Sequence, residues 1–298
     1  MIYYDLSART DIINNHYNSL EKLLKKRVND SSLNKRTKTF ILNNLKQIIV
    51  GKPDELWQIN NDFVAIKQRK SIKNELKKIF NYQSFVSKTG KYNAYNLAEN
   101  LNIRVCLYCN RDYTLTIKKN RKGITRPEFD HFFDKDSNPL LALSIYNLVP
   151  SCHICNSTLK GTAKFDLKNH VHPYIDDCLE HYRYSYKPHD VNAVLGNTAN
   201  LEIEIKTAVP KVRNTANIFE LENILNGYKE EIRDLFDIRY RFSKSYLEQL
   251  FNTYKDLGVS YEEAYRIAFG VHYTEIDFEK RPFSKLKKDI LKELGVVK

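Results

Sequence analysis

Two short cysteine pairs are the residues of this chain whose type and spacing point most directly to chemistry. Cys106 and Cys109 form the first pair, and Cys152 and Cys155 form the second. Each pair can turn two thiolates toward one point, and four thiolates satisfy the tetrahedral preference of Zn²⁺. Because such a site leaves the zinc no open position, we expect the zinc to be structural and the reactive groups to lie elsewhere.

Four polar residues close to the cysteine pairs are candidates for a second, reactive site. Asp130 and His131 are adjacent in the segment between the pairs, Asn147 precedes the second pair, and Asn156 follows Cys155 directly. The pKa of a histidine lies near neutrality, so His131 can accept a proton from a water molecule. Asp130 and Asn156 offer hard oxygen ligands that suit Mg²⁺ or Mn²⁺. A general base and one such cation are sufficient for phosphodiester hydrolysis.

The hydrophobic pattern predicts which elements position these residues. Tyr113, Leu115 and Ile117 alternate with polar residues, and a polar turn follows them. We therefore predict a β-hairpin whose second strand, over 124–132, carries Asp130 and His131. After it, the pattern predicts a short apolar helix over 139–146, a loop over 147–150 and a helix over 151–160 that Gly161 ends.

Helical patterns flank this middle region on both sides. Apolar residues recur at helical spacing up to about Ala94, with one stripe formed by Ile41, Leu45, Ile48 and Ile49. Alternating residues over 182–186 and 201–205 predict two strands, and helical spacing returns from Asn217 to a last amphipathic helix over 284–294. We expect a helical region over 1–100, a nuclease core with the zinc site over 101–190, and a short strand followed by a helical region over 191–298.

Charge and composition narrow the class of protein. The chain has 298 residues, of which 48 are Lys or Arg and 36 are Asp or Glu, for a formal net charge of +12. This excess favours a polyanionic partner such as nucleic acid. No segment approaches the roughly 18 apolar residues of a membrane span, and no signal peptide is evident at the start. We expect a cytoplasmic protein without a membrane partner, in which paired cysteines hold metal more often than disulfides.

The order of these motifs resembles the HNH endonuclease family. That family runs through a Cys-x-x-Cys pair, Asp-His, Asn-Leu, a second Cys-x-x-Cys followed by His or Asn, and Lys-Gly. This chain has Cys106–Cys109, Asp130-His131, Asn147-Leu148, Cys152–Asn156 and Lys160-Gly161, which cover a quarter to a third of its length. The resemblance implies an α+β fold: a mostly helical protein that carries a central ββα-metal, treble-clef-like unit stapled by a four-cysteine zinc.

The resemblance also implies roles for individual residues. His131 is the general base, Asp130 and Asn156 hold the catalytic Mg²⁺ or Mn²⁺, and Asn147 braces a loop beside the catalytic histidine. A bulge or twist must bring Asp130 and His131 to one site, because neighbouring strand residues otherwise face opposite sides. Lys160 either contacts a phosphate or is a solvated charge in the last helical turn.

The segments Asp130–Phe133, Leu140–Leu143, Asn147-Leu148 and Lys160-Gly161 are similar to the HNH components of bacterial anti-phage systems, including the Septu type. This similarity implies a nuclease that acts beside an ATPase partner. We expect its substrate to be nucleic acid, with DNA favoured over RNA. The sequence leaves one alternative open, namely a zinc-stapled module that binds nucleic acid or protein without catalysis. In that case Asp130 is a strand-end cap and His131 a core histidine. The nuclease requires Asp130, His131 and Asn156 to converge on an open concave spot away from the zinc, whereas their divergence favours the binding module.

Overall fold

The computed structural model describes residues 1–65, 70–87, 91–120, 122–194, 200–241 and 244–297, without the side chains of residues 194, 244–247 and 250. It shows an α+β fold that is mostly helical and carries small antiparallel sheets. The chain forms two compact units. The first comprises Tyr4–Ile103 and Thr114–Asp176, and the second comprises Met1–Tyr3, Arg104–Tyr113 and Asp177–Lys298. The three-part division expected from the sequence stays a prediction.

The first unit begins with helices whose apolar faces form its core. The predicted stripe at Ile41, Leu45, Ile48 and Ile49 is buried, but a turn at Asn44 divides it between two helices. Pro53 is the first residue of a helix, where its missing N–H costs nothing. The helices are α1 (Thr10–Asp30), α2 (Lys35–Asn43), α3 (Leu45–Val50), α4 (Pro53–Val64), α5 (Lys70–Ile79), α6 (Tyr82–Val86) and α7 (Ala94–Leu101).

The strands of the first unit differ from the predicted single hairpin. Strands β1 (Ile117–Lys119) and β2 (Lys122–Thr125) form a hairpin, but it ends before Asp130 and His131. Those residues lie on β3 (Glu128–His131), which pairs antiparallel with β4 (Leu148–Ser151). Pro127 separates β2 from β3, because proline lacks the N–H that a continuous ladder needs. The prediction that the hairpin itself delivers the two residues is therefore wrong.

The segments that follow β3 also depart from the predicted elements. The apolar stretch predicted as one helix forms two 3₁₀ turns, Pro139–Leu141 and Ile145–Asn147. Three of the four residues of β4 lie in the predicted loop. All four are buried, so that the alternation typical of a half-exposed strand is missing. A π-helix, Ile154–Lys160, replaces most of the helix predicted over 151–160. Gly161 ends it as predicted, with φ of 48° and its N–H donating to the Asn156 carbonyl at 3.1 Å.

The second unit contains one hairpin-like sheet and a set of helices. Strands β5 (Arg183–Pro188) and β6 (Leu201–Lys206) pair antiparallel, which confirms both predicted strands. Helical structure returns at Pro210, earlier than the predicted Asn217. The helices are α8 (Val191–Val194), α9 (Pro210–Ile218), α10 (Leu221–Asn226), α11 (Glu230–Arg241), α12 (Lys244–Asp256), α13 (Tyr261–Phe269) and α14 (Ser284–Glu293). Among the described residues, we find no helix with the length and apolar character of a membrane span.

A buried histidine of α1 makes the stability of the first unit depend on pH. His16 is fully buried, its Nε2 donates to the Leu143 carbonyl, and its Nδ1 accepts from the Tyr92 hydroxyl, both at 2.9 Å. Burial lowers the pKa of His16 to about 4. Between this value and the unfolded pKa of about 6.5, the unfolded chain binds the extra proton. The stabilisation is therefore complete above about pH 6.5 and is lost as pH falls to about 4.

We expect this loss to appear as a difference between the parent and His16→Gln. The parent's advantage in unfolding free energy should shrink by about 3 kcal/mol when pH falls from 7 to 4, measured by urea titrations. His189→Gln is the matched control, because the His189 side chain is 50% exposed. An advantage of His16 that stays constant across this pH range would contradict the assignment.

Candidate functional site

The four predicted cysteine ligands lie together in the structure. Cys106, Cys109, Cys152 and Cys155 are buried, and their sulfur atoms all lie within 4.8 Å of one another. A tetrahedral zinc with Zn–S bonds of about 2.3 Å needs sulfur atoms about 3.8 Å apart, so the cluster is compatible with structural zinc. In the part of the chain that the structure describes, it is the sole group of three or more His, Cys, Asp or Glu side chains placed to hold a metal.

Tight backbone turns explain why each short spacing brings two sulfur atoms together. The Asn110 N–H donates to the Cys106 carbonyl at 2.9 Å, and Asn110 takes a φ of 50°, a conformation that asparagine tolerates better than most residues. In the second pair, the Cys155 N–H donates to the Cys152 sulfur at 3.4 Å. An N–H aimed at sulfur stabilises the thiolate that a metal requires.

The Asp130 carboxylate is held by Lys160, for which the sequence left open a phosphate contact or a solvated charge. The Lys160 ammonium lies 2.7 and 2.8 Å from the two Asp130 oxygens and 2.6 Å from the His131 carbonyl oxygen. The Lys160 and Asp130 side chains are only 3% and 5% exposed. The prediction of a solvated charge in the last helical turn is therefore wrong, and a phosphate contact by Lys160 stays a prediction. The distance of 30 residues along the chain hides this ion pair from sequence reasoning.

His131 is buried with one ring nitrogen fixed by the backbone. Its Nε2 lies 3.0 Å from the Ala142 carbonyl oxygen, and because a carbonyl only accepts, Nε2 carries the proton. The Tyr82 ring packs edge-on against the imidazole, with ring centroids 4.4 Å apart. Burial lowers the pKa of His131 to about 4. The imidazole is therefore neutral at pH 7, with its unprotonated nitrogen at Nδ1.

The structure does not contain the predicted break between Asp130 and His131. The β3–β4 pairing is continuous, with Asp130 opposite Val149 and His131 opposite Leu148. Neighbouring residues of a regular strand face opposite sides, and the contacts of these two side chains agree with that rule. Asp130 contacts Lys160 of the π-helix, whereas His131 contacts Ala142 and Tyr82.

Asn156 contacts the carboxylate of Glu128. Glu128 lies two residues before Asp130, on the same strand face, and accepts hydrogen bonds from Asn156 Nδ2 at 2.8 Å and Ser157 Oγ at 2.9 Å. The exposed His153 adds a contact from Nδ1 at 2.8 Å. Burial would raise the pKa of Glu128, but these hydrogen bonds outweigh it and lower the pKa. The spacing of two residues from Asp130 was the one sequence signal for this carboxylate.

Asn147 joins the ends of the loop that follows His131. Its side-chain oxygen accepts from the Phe133 N–H at 2.6 Å, and its Nδ2 donates to the Phe133 and Leu141 carbonyls, both at 3.0 Å. Leu141 directly precedes Ala142, the partner of His131. The buried Asn147 amide therefore fixes the segment that orients the imidazole.

Asn147→Ala should destabilise the protein by about 2–4 kcal/mol, because it leaves one buried N–H and two buried carbonyls without their partner. Urea unfolding of the parent and the variant measures this difference. The control is Asn43→Ala, at an exposed position of α2, for which we expect a change within about 0.5 kcal/mol. Equal losses for the two variants would show that the three hydrogen bonds do not stabilise the loop.

Comparisons of the chain with protein-family models, curated proteins and solved structures found no match. The function of the protein is therefore inferred from its own residues. Their geometry gives a four-sulfur metal site, a neutral buried histidine and a buried Asp130–Lys160 ion pair.

Proposed function

We propose that this protein is a metal-dependent HNH endonuclease that hydrolyses phosphodiester bonds of nucleic acid, with DNA favoured over RNA. The environment of His131 carries this proposal. A backbone carbonyl holds the Nε2 proton, so that Nδ1 keeps a lone pair. Burial keeps the ring neutral. A neutral ring with this lone pair can take a proton from water, although its lowered pKa makes it a weaker base than a histidine with an ordinary pKa.

The surroundings of His131 favour an anionic substrate. A cavity of about 160 Å³ is lined by Tyr82 and Ala142, which are the two residues that His131 contacts. Lys77, Lys135 and Asp136 also line this cavity, and Asp136 forms ion pairs with both lysines, so that one net positive charge remains. Lys135 is close enough to His131 to contribute to lowering its pKa. A phosphate that enters the cavity would therefore meet positive charge beside the base.

The order of the surrounding elements supports the same proposal. Strands β3 and β4 pair antiparallel, and the π-helix that follows contacts β3 through Asn156 and Lys160. Two strands and a helix in this order are the parts of a ββα-metal unit. The four cysteines next to these elements would hold the structural zinc.

A divalent cation, when bound, would stabilise charge on the phosphate and on the departing oxygen. Asp130 and Asn156 are the residues proposed to hold it. In the conformation of this structure they do not fit it, because both Asp130 oxygens accept from Lys160, and Asn156 lies against Glu128. The roles assigned to the chain itself are proton acceptance by His131 and positioning of its loop by Asn147.

The test is cleavage of plasmid DNA and of RNA by the purified protein with Mg²⁺ or Mn²⁺. We expect nicking or cutting that EDTA stops. We also propose, from the resemblance to anti-phage HNH components, an ATPase partner that gates the nuclease, so the assay is repeated with an ATPase that co-purifies with the protein. Absence of cation-dependent cleavage in both settings would exclude the nuclease.

A second candidate function is a zinc-stapled binding module without catalysis. The observation that favours it is that Asp130, His131 and Asn156 do not converge on one spot. The β3–β4 register is continuous, Asp130 is neutralised by Lys160, and His131 and Asn156 contact Ala142 and Glu128. The net charge of +12 suits nucleic acid as its ligand. Salt-dependent binding of DNA or RNA without cleavage in the assay above would favour this candidate.

A further inference from the structure

The β1–β2 hairpin packs against α7 with only one of its two faces. A Cβ atom added to Gly123 would lie 2.2 Å from the Tyr95 ring, so the backbone of β2 touches that ring directly. On β1, the Lys118 ammonium contacts the Glu99 carboxylate at 2.5 Å. Because neighbouring strand residues face opposite sides, the residues next to Gly123 and Lys118 point away from α7.

The face that points away from α7 combines apolar and positively charged side chains, and we call it the outer hairpin face. It consists of Ile117 and Lys119 on β1 and of Lys122 and Ile124 on β2, all of them exposed. The two isoleucines are 46% and 56% exposed. Lys119 lies opposite Lys122, and a like-charged pair in this position destabilises a hairpin. Stability of the hairpin therefore does not explain this face.

The charge of the hairpin is unbalanced. The segment 114–126 has five Lys or Arg residues and no Asp or Glu. Lys118 is paired with Glu99, but within the described part of the chain no carboxylate forms an ion pair with Lys119, Lys122 or Arg126. Exposed cations without carboxylate partners complement the phosphates of a nucleic acid.

Arg126 links the hairpin to the surroundings of the candidate base. Its guanidinium lies 5.5 Å from the centroid of the Tyr95 ring and 5.9 Å from that of the Phe129 ring. Burial raises the pKa of Tyr82, and the nearby charge of Arg126 opposes this shift. Because the Tyr82 ring packs against His131, the hairpin ends beside the candidate base.

We propose that the outer hairpin face binds duplex DNA, with its two lysines on phosphates and its two isoleucines against apolar base edges in the major groove. This inference rests on nucleic acid being the substrate of the proposed function. A strand of four residues is about 13 Å long, and the major groove of DNA is about 12 Å wide and admits a two-stranded ribbon. The major groove of duplex RNA is too narrow for side chains to read, so duplex DNA is the occupant that fits.

The first test measures binding of a labelled DNA duplex by fluorescence anisotropy, without added Mg²⁺ or Mn²⁺, at about 50 to 200 mM salt. Lys119→Gln/Lys122→Gln should weaken binding at least about tenfold and should reduce the salt slope by about two, because each phosphate contact releases about 0.9 counterions. Lys22→Gln/Lys26→Gln is the matched control, since it removes the same net charge at exposed positions of α1. It should bind within about twofold of the parent. Equal losses for the two pairs would overturn the proposal.

The second test addresses the apolar half of the same face. Ile117→Ser/Ile124→Ser should weaken DNA binding by about tenfold and should leave the salt slope unchanged, because it removes apolar contact but no charge. Leu23→Ser/Val64→Ser is the control, as these side chains are 45% and 50% exposed on other elements of the same unit. Unchanged DNA affinity with loss of self-association of the parent would overturn the proposal and assign this face to a second copy of the chain.

Cleavage measured on the same preparations separates this proposal from the nuclease. DNA binding that depends on the outer hairpin face, without any cleavage by the parent, would exclude the nuclease and support the role of the hairpin. Cation-dependent cleavage by the parent, with an unchanged Kd for DNA in both hairpin variants, would support the nuclease and overturn the role of the hairpin.

Discussion

Cys155→Ser should abolish stable folding, and the parent should unfold when a strong chelator removes its metal. A structural zinc site contributes an apparent binding free energy of about 10–16 kcal/mol, whereas a typical domain is stable by only about 5–15 kcal/mol. Because the four cysteines are buried, loss of the ion also leaves thiolates without a counter-charge or forces them to take up protons, which destabilises the folded state. We expect one zinc per chain in the purified parent by elemental analysis.

The matched control for this variant is Cys178→Ser. Cys178 is buried like the others but does not belong to the four-sulfur cluster. We expect this variant to retain its zinc and to lose only about 1 kcal/mol, the ordinary effect of a small change in a core. Thermal unfolding followed by circular dichroism compares the two variants. A zinc-free parent, or similar melting of Cys155→Ser and Cys178→Ser, would contradict the metal site.

Local patterns predicted the parts of the fold that depend on local physics. The spacing within each cysteine pair sets the turn that brings its two sulfur atoms together, so Cys106 and Cys109 could be paired without a structure. The alternation at Tyr182, Tyr184 and Ile203 follows from one buried strand face, and both strands were found. The hydrophobic period and the cysteine spacing were sufficient in these cases, because a turn and a strand face are set by neighbouring residues.

Contacts between distant segments were beyond the reach of the sequence. The four buried residues of β4 show no alternation, so Leu148–Ser151 could not be recognised as a strand without its partner β3. Lys160 carries a charge typical of a helix end, and its position against Asp130 depends on how the π-helix packs on β3. The same packing brings Asn156 to Glu128. Sequence reasoning thus identified the candidate residues but not their pairing.

His131→Ala should lower the rate of nucleic-acid cleavage by about 10²–10⁴-fold, the usual contribution of a general base. The variant removes the Nδ1 lone pair. Asn147 still holds the loop at Leu141, next to the Ala142 carbonyl that accepted from Nε2, so we expect the loop to keep its position. We therefore expect DNA binding and zinc content to be unchanged, so that the loss lies in turnover and not in substrate affinity. Single-turnover cleavage with Mg²⁺ at saturating enzyme measures this difference.

His153→Ala is the matched control, since the His153 side chain is 71% exposed and contacts Glu128 instead of the His131 loop. It should cleave within about threefold of the parent, as expected for a surface substitution away from the reacting groups. The melting temperature of both variants must be compared first, because the His131 ring is buried and its removal also costs packing. Cleavage by a folded His131→Ala at the rate of His153→Ala would exclude His131 as the base, and the water would then have to be activated by another group.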